Sequence, residues 1–98
     1  MKILIRKYPY RQKKDLAEEL GLSRTTIYER CKEIEEEQWD RYGDYAVIRD
    51  GHITLINVLA FLDYLKYRDS LIDTNTRKFV PAYDPNKVAM QLGWKGSL

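Results

Sequence analysis

The chain has 98 residues, of which 44% are hydrophobic and 33% charged, a balance typical of one small folded domain. A single cysteine excludes an internal disulfide framework, and no apolar run approaches the roughly twenty residues that a membrane span needs. The N-terminal residues become charged too early for a signal peptide, so we expect a cytoplasmic protein.

Charge is distributed unevenly along the chain, although the net charge at pH 7 is only +2. Residues 1–30 carry eight lysines and arginines against four acids, whereas residues 31–50 carry three against seven and residues 51–98 six against four. A basic first third favours one surface that faces an anionic partner. The alternative is an ordinary solvated face, and charge alone does not separate the two interpretations.

Two helices joined by a short turn are predicted in the first third of the chain. From Gln12 the apolar spacing becomes helical and continues to Gly21, where a residue with positive φ would end the helix. Ser23 is a suitable N-cap for a second helix over residues 24–37 and is also a candidate DNA contact.

A β-hairpin and a third helix are predicted in the middle of the chain. Residues 45–48 are rich in strand formers, Asp50-Gly51 is a typical hairpin turn, and residues 52–54 would form the returning strand. Thr54 is then expected to cap a third helix that ends near residue 69 or 70. The apolar face of that helix would comprise Leu55, Val58, Leu59, Leu62 and Leu65.

The two ends of the chain have two interpretations each. Residues 1–11 predict an arm or short strand, which either pairs with the hairpin or stays separate from it. Residues 71–98 predict an extension with one short helix, opened by Asp84 as N-cap and Pro85 at the first helical position. The aromatic and apolar residues of this extension either cover the core or form a segment that docks onto a partner.

The stretch from Lys13 to Lys32 meets the steric demands of a helix-turn-helix. The connection Gly21-Leu22-Ser23 is short, Ala17 is small where the helices must approach, and Ile27 anchors the second helix on the first. A hairpin placed after such a helix would be a wing. We therefore predict a mostly α chain with a small β-hairpin, in which residues 12–70 form a winged helix-turn-helix. The alternative is a helical hairpin of unrelated function.

The outer face of the second helix predicts contacts to DNA. Arg24 suits a bidentate contact with guanine, whereas Thr25 and Tyr28 suit phosphates or a thymine methyl group. Arg49 and His52 flank the hairpin tip, from which they would reach the DNA backbone or the minor groove. The candidate DNA-binding residues are Lys13, Ser23, Arg24, Thr25, Tyr28, Lys32, Arg49 and His52.

Three short motifs carry a resemblance to a known family. LGLS at residues 20–23, TIY at 26–28 and VLAFL at 58–62 resemble the winged helix-turn-helix of phage and transposon excisionases and their MerR-like relatives, over roughly residues 12–68. The resemblance implies a small accessory protein of a prophage or mobile element that binds and bends double-stranded DNA. Its implied partners are an integrase or further copies of the chain.

Catalysis and metal binding are not expected from this sequence. It has no nucleophile elbow, glycine-rich phosphate loop or HExxH motif, and one histidine with one cysteine make no metal-ligand set. We expect no cofactor and no small-molecule substrate. The leading hypothesis is a sequence-specific, excisionase-like DNA-binding protein. The alternatives are a small phage transcriptional regulator and a protein-interaction module, such as an antirepressor or a small terminase subunit, that uses the aromatic tail.

Overall fold

The computed structural model describes residues 9–93, which are mostly helical with a small antiparallel sheet, as predicted. The strands within this range are β1 (Tyr10–Gln12), β2 (Val47–Asp50) and β3 (Ile53–Asn57). The α-helices are α1 (Lys13–Leu20), α2 (Arg24–Glu37), α3 (Trp39–Tyr42), α4 (Val58–Ile72) and α5 (Pro85–Leu92), with a 3-10 turn at Arg77–Phe79. None of these helices is both long and apolar enough to cross a membrane.

One core joins the helices to one face of the sheet. Its largest fully buried side chains are those of Tyr64, Phe61, Leu16, Ile27, Ile34, Ile56, Leu59, Val58 and Cys31. Ile27, Cys31 and Ile34 form the buried inner face of α2. Burial raises the pKa of Cys31 to about 12, so this thiol is a packing group rather than a nucleophile.

The hairpin turn lies one residue later than the sequence predicts. Asp50 is paired with Ile53, so the two turn residues are Gly51 and His52 instead of Asp50 and Gly51. Gly51 adopts a φ of +60°, a conformation that favours glycine. The shift places His52 at the tip of the hairpin, whereas Asp50 ends β2.

The predicted start of the third helix at Thr54 is wrong. Thr54 and Leu55 lie in β3, where Thr54 and Ile56 point inward and alternate with more exposed neighbours. The helix is capped by Asn57, whose side chain accepts a hydrogen bond from the Ala60 N–H at 3.0 Å. It also continues to Ile72, beyond the predicted end.

The buried face of α4 also differs from the prediction, because it includes Asp63 while Leu62 and Leu65 are only partly buried. The Asp63 carboxylate accepts hydrogen bonds from the Tyr42 hydroxyl at 2.5 Å and from Arg41 at 2.9 Å. These bonds allow a carboxylate to stay inside the protein. Burial is the main cause that raises the pKa of Tyr42, so its hydroxyl keeps the proton that it donates.

Both ends of the described range are attached to the central fold. β1 pairs with β3, so a strand at residues 10–12 joins the sheet beside the hairpin. At the other end, Asp84 caps α5 as predicted, Pro85 opens it, and Gly93 ends it. Residues 1–8 of the predicted arm and residues 94–98 of the predicted extension lie outside the described residues.

Candidate functional site

The turn between α1 and α2 fixes how the two helices meet. Gly21 adopts a φ of +69° and its N–H donates to the Ala17 carbonyl, which ends α1. The Ser23 hydroxyl then accepts a hydrogen bond from the Thr26 N–H at 3.1 Å. Ser23 is therefore the predicted N-cap, and the first turn of α2 is held in a defined position.

A groove of about 460 Å³ lies where the first turns of α1 and α2 meet the β2–β3 hairpin. We call it the basic groove. It gathers residues from three separate segments of the chain, so the fold rather than the local sequence creates it. Its lining residues are Gln12, Lys13, Lys14, Arg24, Thr25, Tyr28, His52 and Thr54.

The basic groove collects positive charge without a compensating acid. No aspartate or glutamate is among its lining residues, and within residues 9–93 no carboxylate forms an ion pair with Lys13, Lys14 or Arg24. These cations stand in the first turns of α1 and α2, where the helix dipole disfavours positive charge. Such a placement is electrostatically costly in the free protein, and a bound anion would offset it.

Tyr28 forms an aromatic surface between two lysines. The Lys13 ammonium lies 5.5 Å and the Lys32 ammonium 5.6 Å from the centre of the Tyr28 ring. The ring is 44% exposed, so it remains open to a ligand. Lys32 extends the positive surface beyond the groove itself.

The structure brings most of the predicted site residues together. Lys13, Arg24, Thr25, Tyr28 and His52 line the basic groove. Lys32 lies beside Tyr28, and Ser23 caps the helix that carries the central residues.

Arg49 does not join the basic groove. Its guanidinium donates hydrogen bonds to the Glu35 carboxylate, with a shortest distance of 2.7 Å, and to the Thr54 hydroxyl at 3.4 Å. The hydrogen bond to Glu35 is the main cause that raises the pKa of Arg49. Arg49 therefore ties the hairpin to α2 beneath the groove, since Thr54 is also a lining residue.

Three residues that line the basic groove were not among the candidate DNA-binding residues predicted from the sequence. Lys14 adjoins Lys13, so this basic pair can be recognised in the sequence itself. Gln12 and Thr54 are placed at the groove by the β1–β3 pairing, which joins segments about 40 residues apart. No short-range pattern carries that information.

Comparison of the chain with protein-family models, with curated proteins and with solved structures found no match. The function has to be inferred from the chemistry of the basic groove and from the sequence motifs.

Proposed function

We propose that this chain is a sequence-specific double-stranded DNA-binding protein of the winged helix-turn-helix type. In this proposal α2 enters the major groove and the β2–β3 hairpin is the wing. The observation that carries the proposal is the basic groove, where Lys13, Lys14 and Arg24 lie with the hairpin tip, no acid is among the lining residues, and none of the three cations forms an ion pair within residues 9–93. An anionic, rod-shaped partner such as duplex DNA complements that surface.

Residues on the first turns of α2 would read the bases. Arg24 is its first residue, is exposed, and has the planar donor pair that fits the O6 and N7 atoms of guanine. Thr25 follows it, and its methyl group suits contact with thymine. The recognition helices of known helix-turn-helix proteins also contact bases through their N-terminal residues.

Lysines of α1 and α2 would hold the phosphate backbone. Lys13 and Lys32 flank Tyr28, so two ammonium groups and one hydroxyl would face the same stretch of backbone. Lys14 lines the same groove. At the opposite wall, His52 of the hairpin tip would contact the backbone or the adjoining minor groove.

The motif resemblance extends this proposal to an excisionase-like accessory role at a mobile element. A transcriptional regulator would use the same surface, and the arrangement of the target sites distinguishes the two. Closely spaced direct repeats indicate head-to-tail assembly, whereas an inverted repeat indicates a symmetric dimer.

The test is selection of bound sites from a random duplex library at near-physiological salt. We expect an enriched motif for the wild-type protein and for Arg77→Glu, which changes a charge outside the basic groove. We expect no enrichment for Lys13→Glu/Arg24→Glu. A folded wild-type protein that enriches no motif would contradict the proposal.

A further inference from the structure

A second groove lies between α4 and α5 and shares no lining residue with the basic groove. We call it the α4–α5 groove. It has a volume of about 400 Å³, within the usual range of concave binding sites. Its apolar lining comprises Leu62 and Tyr67 of α4 and Val88 and Leu92 of α5, which are partly buried, together with the exposed Pro81 and Ala82 that precede α5.

The lysines that line the α4–α5 groove are exposed, whereas the acids that line it form hydrogen bonds or an ion pair within the protein. Lys66 and Lys87 are exposed, one on each helix, and within residues 9–93 neither forms an ion pair with a carboxylate. The two lining acids are engaged within the protein. Asp63 is buried against Arg41, and a carboxylate oxygen of Asp84 accepts the Asn86 N–H at 3.0 Å. The groove thus offers an apolar floor and two exposed lysines, which outnumber the one lining carboxylate, that of Asp84, without a cationic partner within residues 9–93.

We infer that the α4–α5 groove binds an acidic amphipathic helix of a protein partner. A trough between two packed helices accepts a third helix, whose apolar side chains at i, i+3, i+4 and i+7 would cover the floor. Glutamates or aspartates beside that apolar stripe would pair with Lys66 and Lys87. None of the strands in residues 9–93 lines this groove, so an extended peptide would find no edge of the described sheet with which to pair.

In this inference the C-terminal extension helps to form a receptor surface and does not act as a free segment that docks onto a partner. α5 packs on α4 through the buried Ala89, and the two helices together build the groove. The extension is therefore one wall of a receptor surface. Because the α4–α5 groove and the basic groove are separate, a partner helix and DNA would bind at the same time.

A pair of synthetic peptides tests the inference on the full-length ¹⁵N-labelled chain. The first is a 16-residue helical peptide with leucine and phenylalanine at i, i+3, i+4 and i+7 and glutamates on both flanks. The second replaces every glutamate by lysine. We expect saturable amide shift changes around residues 62–67 and 87–92, with the acidic peptide bound about tenfold more tightly.

Charge-reversed variants test whether Lys66 and Lys87 themselves contact the acidic peptide. We expect Lys66→Glu/Lys87→Glu to weaken binding of the acidic peptide by about tenfold. The matched control Arg77→Glu/Lys78→Glu makes the same change in net charge outside both grooves and should bind the peptide as the wild type does. If Lys66→Glu/Lys87→Glu loses its native circular dichroism spectrum, Lys66→Gln/Lys87→Gln replaces it.

Several outcomes would overturn the inference. They are no saturable shifts at millimolar peptide, shifts centred elsewhere, equal binding of both peptides, or equal weakening by the control variant. A wild-type dimer in sedimentation that Lys66→Glu/Lys87→Glu dissociates would identify a second copy as the occupant instead. Loss of DNA binding in that variant would make the groove part of the DNA interface. Peptide binding itself does not depend on the proposed DNA-binding function.

Discussion

Arg24 is the residue on which sequence recognition depends most in this account. It begins α2, is exposed, and lines the basic groove. We predict that Arg24→Ala weakens binding to the selected duplex by about 1–3 kcal/mol and relaxes base preference at one position. Arg77→Ala removes the same side chain outside the groove and should leave affinity unchanged. Equal affinity of Arg24→Ala and the wild type would place α2 outside the major groove.

Glu33 links α2 to α4 through a charged hydrogen-bond network. Its carboxylate accepts hydrogen bonds from Tyr64 at 2.5 Å, Arg68 at 2.8 Å and Arg30 at 3.1 Å. The bond from Arg68 is the main cause that lowers the pKa of Glu33 below its ordinary value of 4.5. Arg30 thus pairs with a carboxylate on its own helix.

The lowered pKa of Glu33 gives its contribution to stability a definite pH dependence. A carboxylate with a lowered folded-state pKa stabilises the fold above pH 4.5, and this stabilisation is lost as the pH falls through the folded-state pKa. We predict that Glu33→Gln lowers the free energy of unfolding by about 1–2 kcal/mol at pH 7 and by less than half as much at pH 3. Urea denaturation of the wild type, Glu33→Gln and the exposed control Glu36→Gln measures this. An equal loss at both pH values would contradict it.

At the scale of elements, the parts of the fold that depend on neighbouring residues were predictable. α2 begins at Arg24 and ends at Glu37, as expected, because Ser23 supplies its cap and Gly21 ends the preceding helix. Asp84 and Pro85 mark α5 in the same way. The caps and turn residues are local chemistry, so one sequence suffices to locate them.

Elements that depend on distant partners were predicted less well. The spacing of the apolar side chains in residues 53–57 is compatible with a strand and also with the first turn of a helix. These residues form a strand because they pair with β1 and β2. The burial of Asp63 depends on Arg41, which lies 22 residues away. Arg49 likewise takes a partner 14 residues away, Glu35. No periodicity in the sequence reveals such pairs.

Within the described residues, the C-terminal extension packs against the core through some of its side chains, whereas Phe79 and Met90 are exposed. The Tyr83 ring packs edge-on against Tyr42 with centroids 5.0 Å apart, and the Pro81 carbonyl accepts a hydrogen bond from Arg41 at 2.8 Å. Burial raises the pKa of Tyr83, as expected for a packed side chain. Core covering, one of the two interpretations of the sequence, therefore describes Val80, Tyr83, Val88, Ala89 and Leu92.

Truncation tests that role for the extension. We predict that removal of residues 80–98 lowers the free energy of unfolding by at least about 3 kcal/mol, which corresponds to a drop in Tm of at least about 12 °C. At a temperature where the shortened chain is still folded, its affinity for the selected duplex should stay within a few-fold of the wild-type value. Thermal denaturation and a duplex-binding titration check both parts. An unchanged Tm would show that the extension contributes little to the core.

For the whole molecule, the arrangement of charge matters more than its total. The net charge is only +2, too small for attraction to DNA by charge alone, yet the first turns of α1 and α2 place cations in one groove. No acid of residues 31–50 is among the residues that line this groove. Two of these acids have arginine partners: Glu35 accepts hydrogen bonds from Arg49, and Glu33 accepts one from Arg68. One surface can therefore be strongly attractive to an anion although the chain is nearly neutral.

The most direct test of the central claim is the salt dependence of affinity for the selected duplex. With Lys13, Lys14 and Lys32 at the phosphates, log Kd should rise by about 3 per tenfold increase in salt. The variant Lys13→Gln/Lys14→Gln/Lys32→Gln should reduce that slope by about 2–3, whereas Lys66→Gln/Lys78→Gln/Lys87→Gln, with the same net charge, should retain it. Equal slopes for both variants, or a wild-type affinity that does not change with salt, would contradict the claim that the basic groove binds DNA.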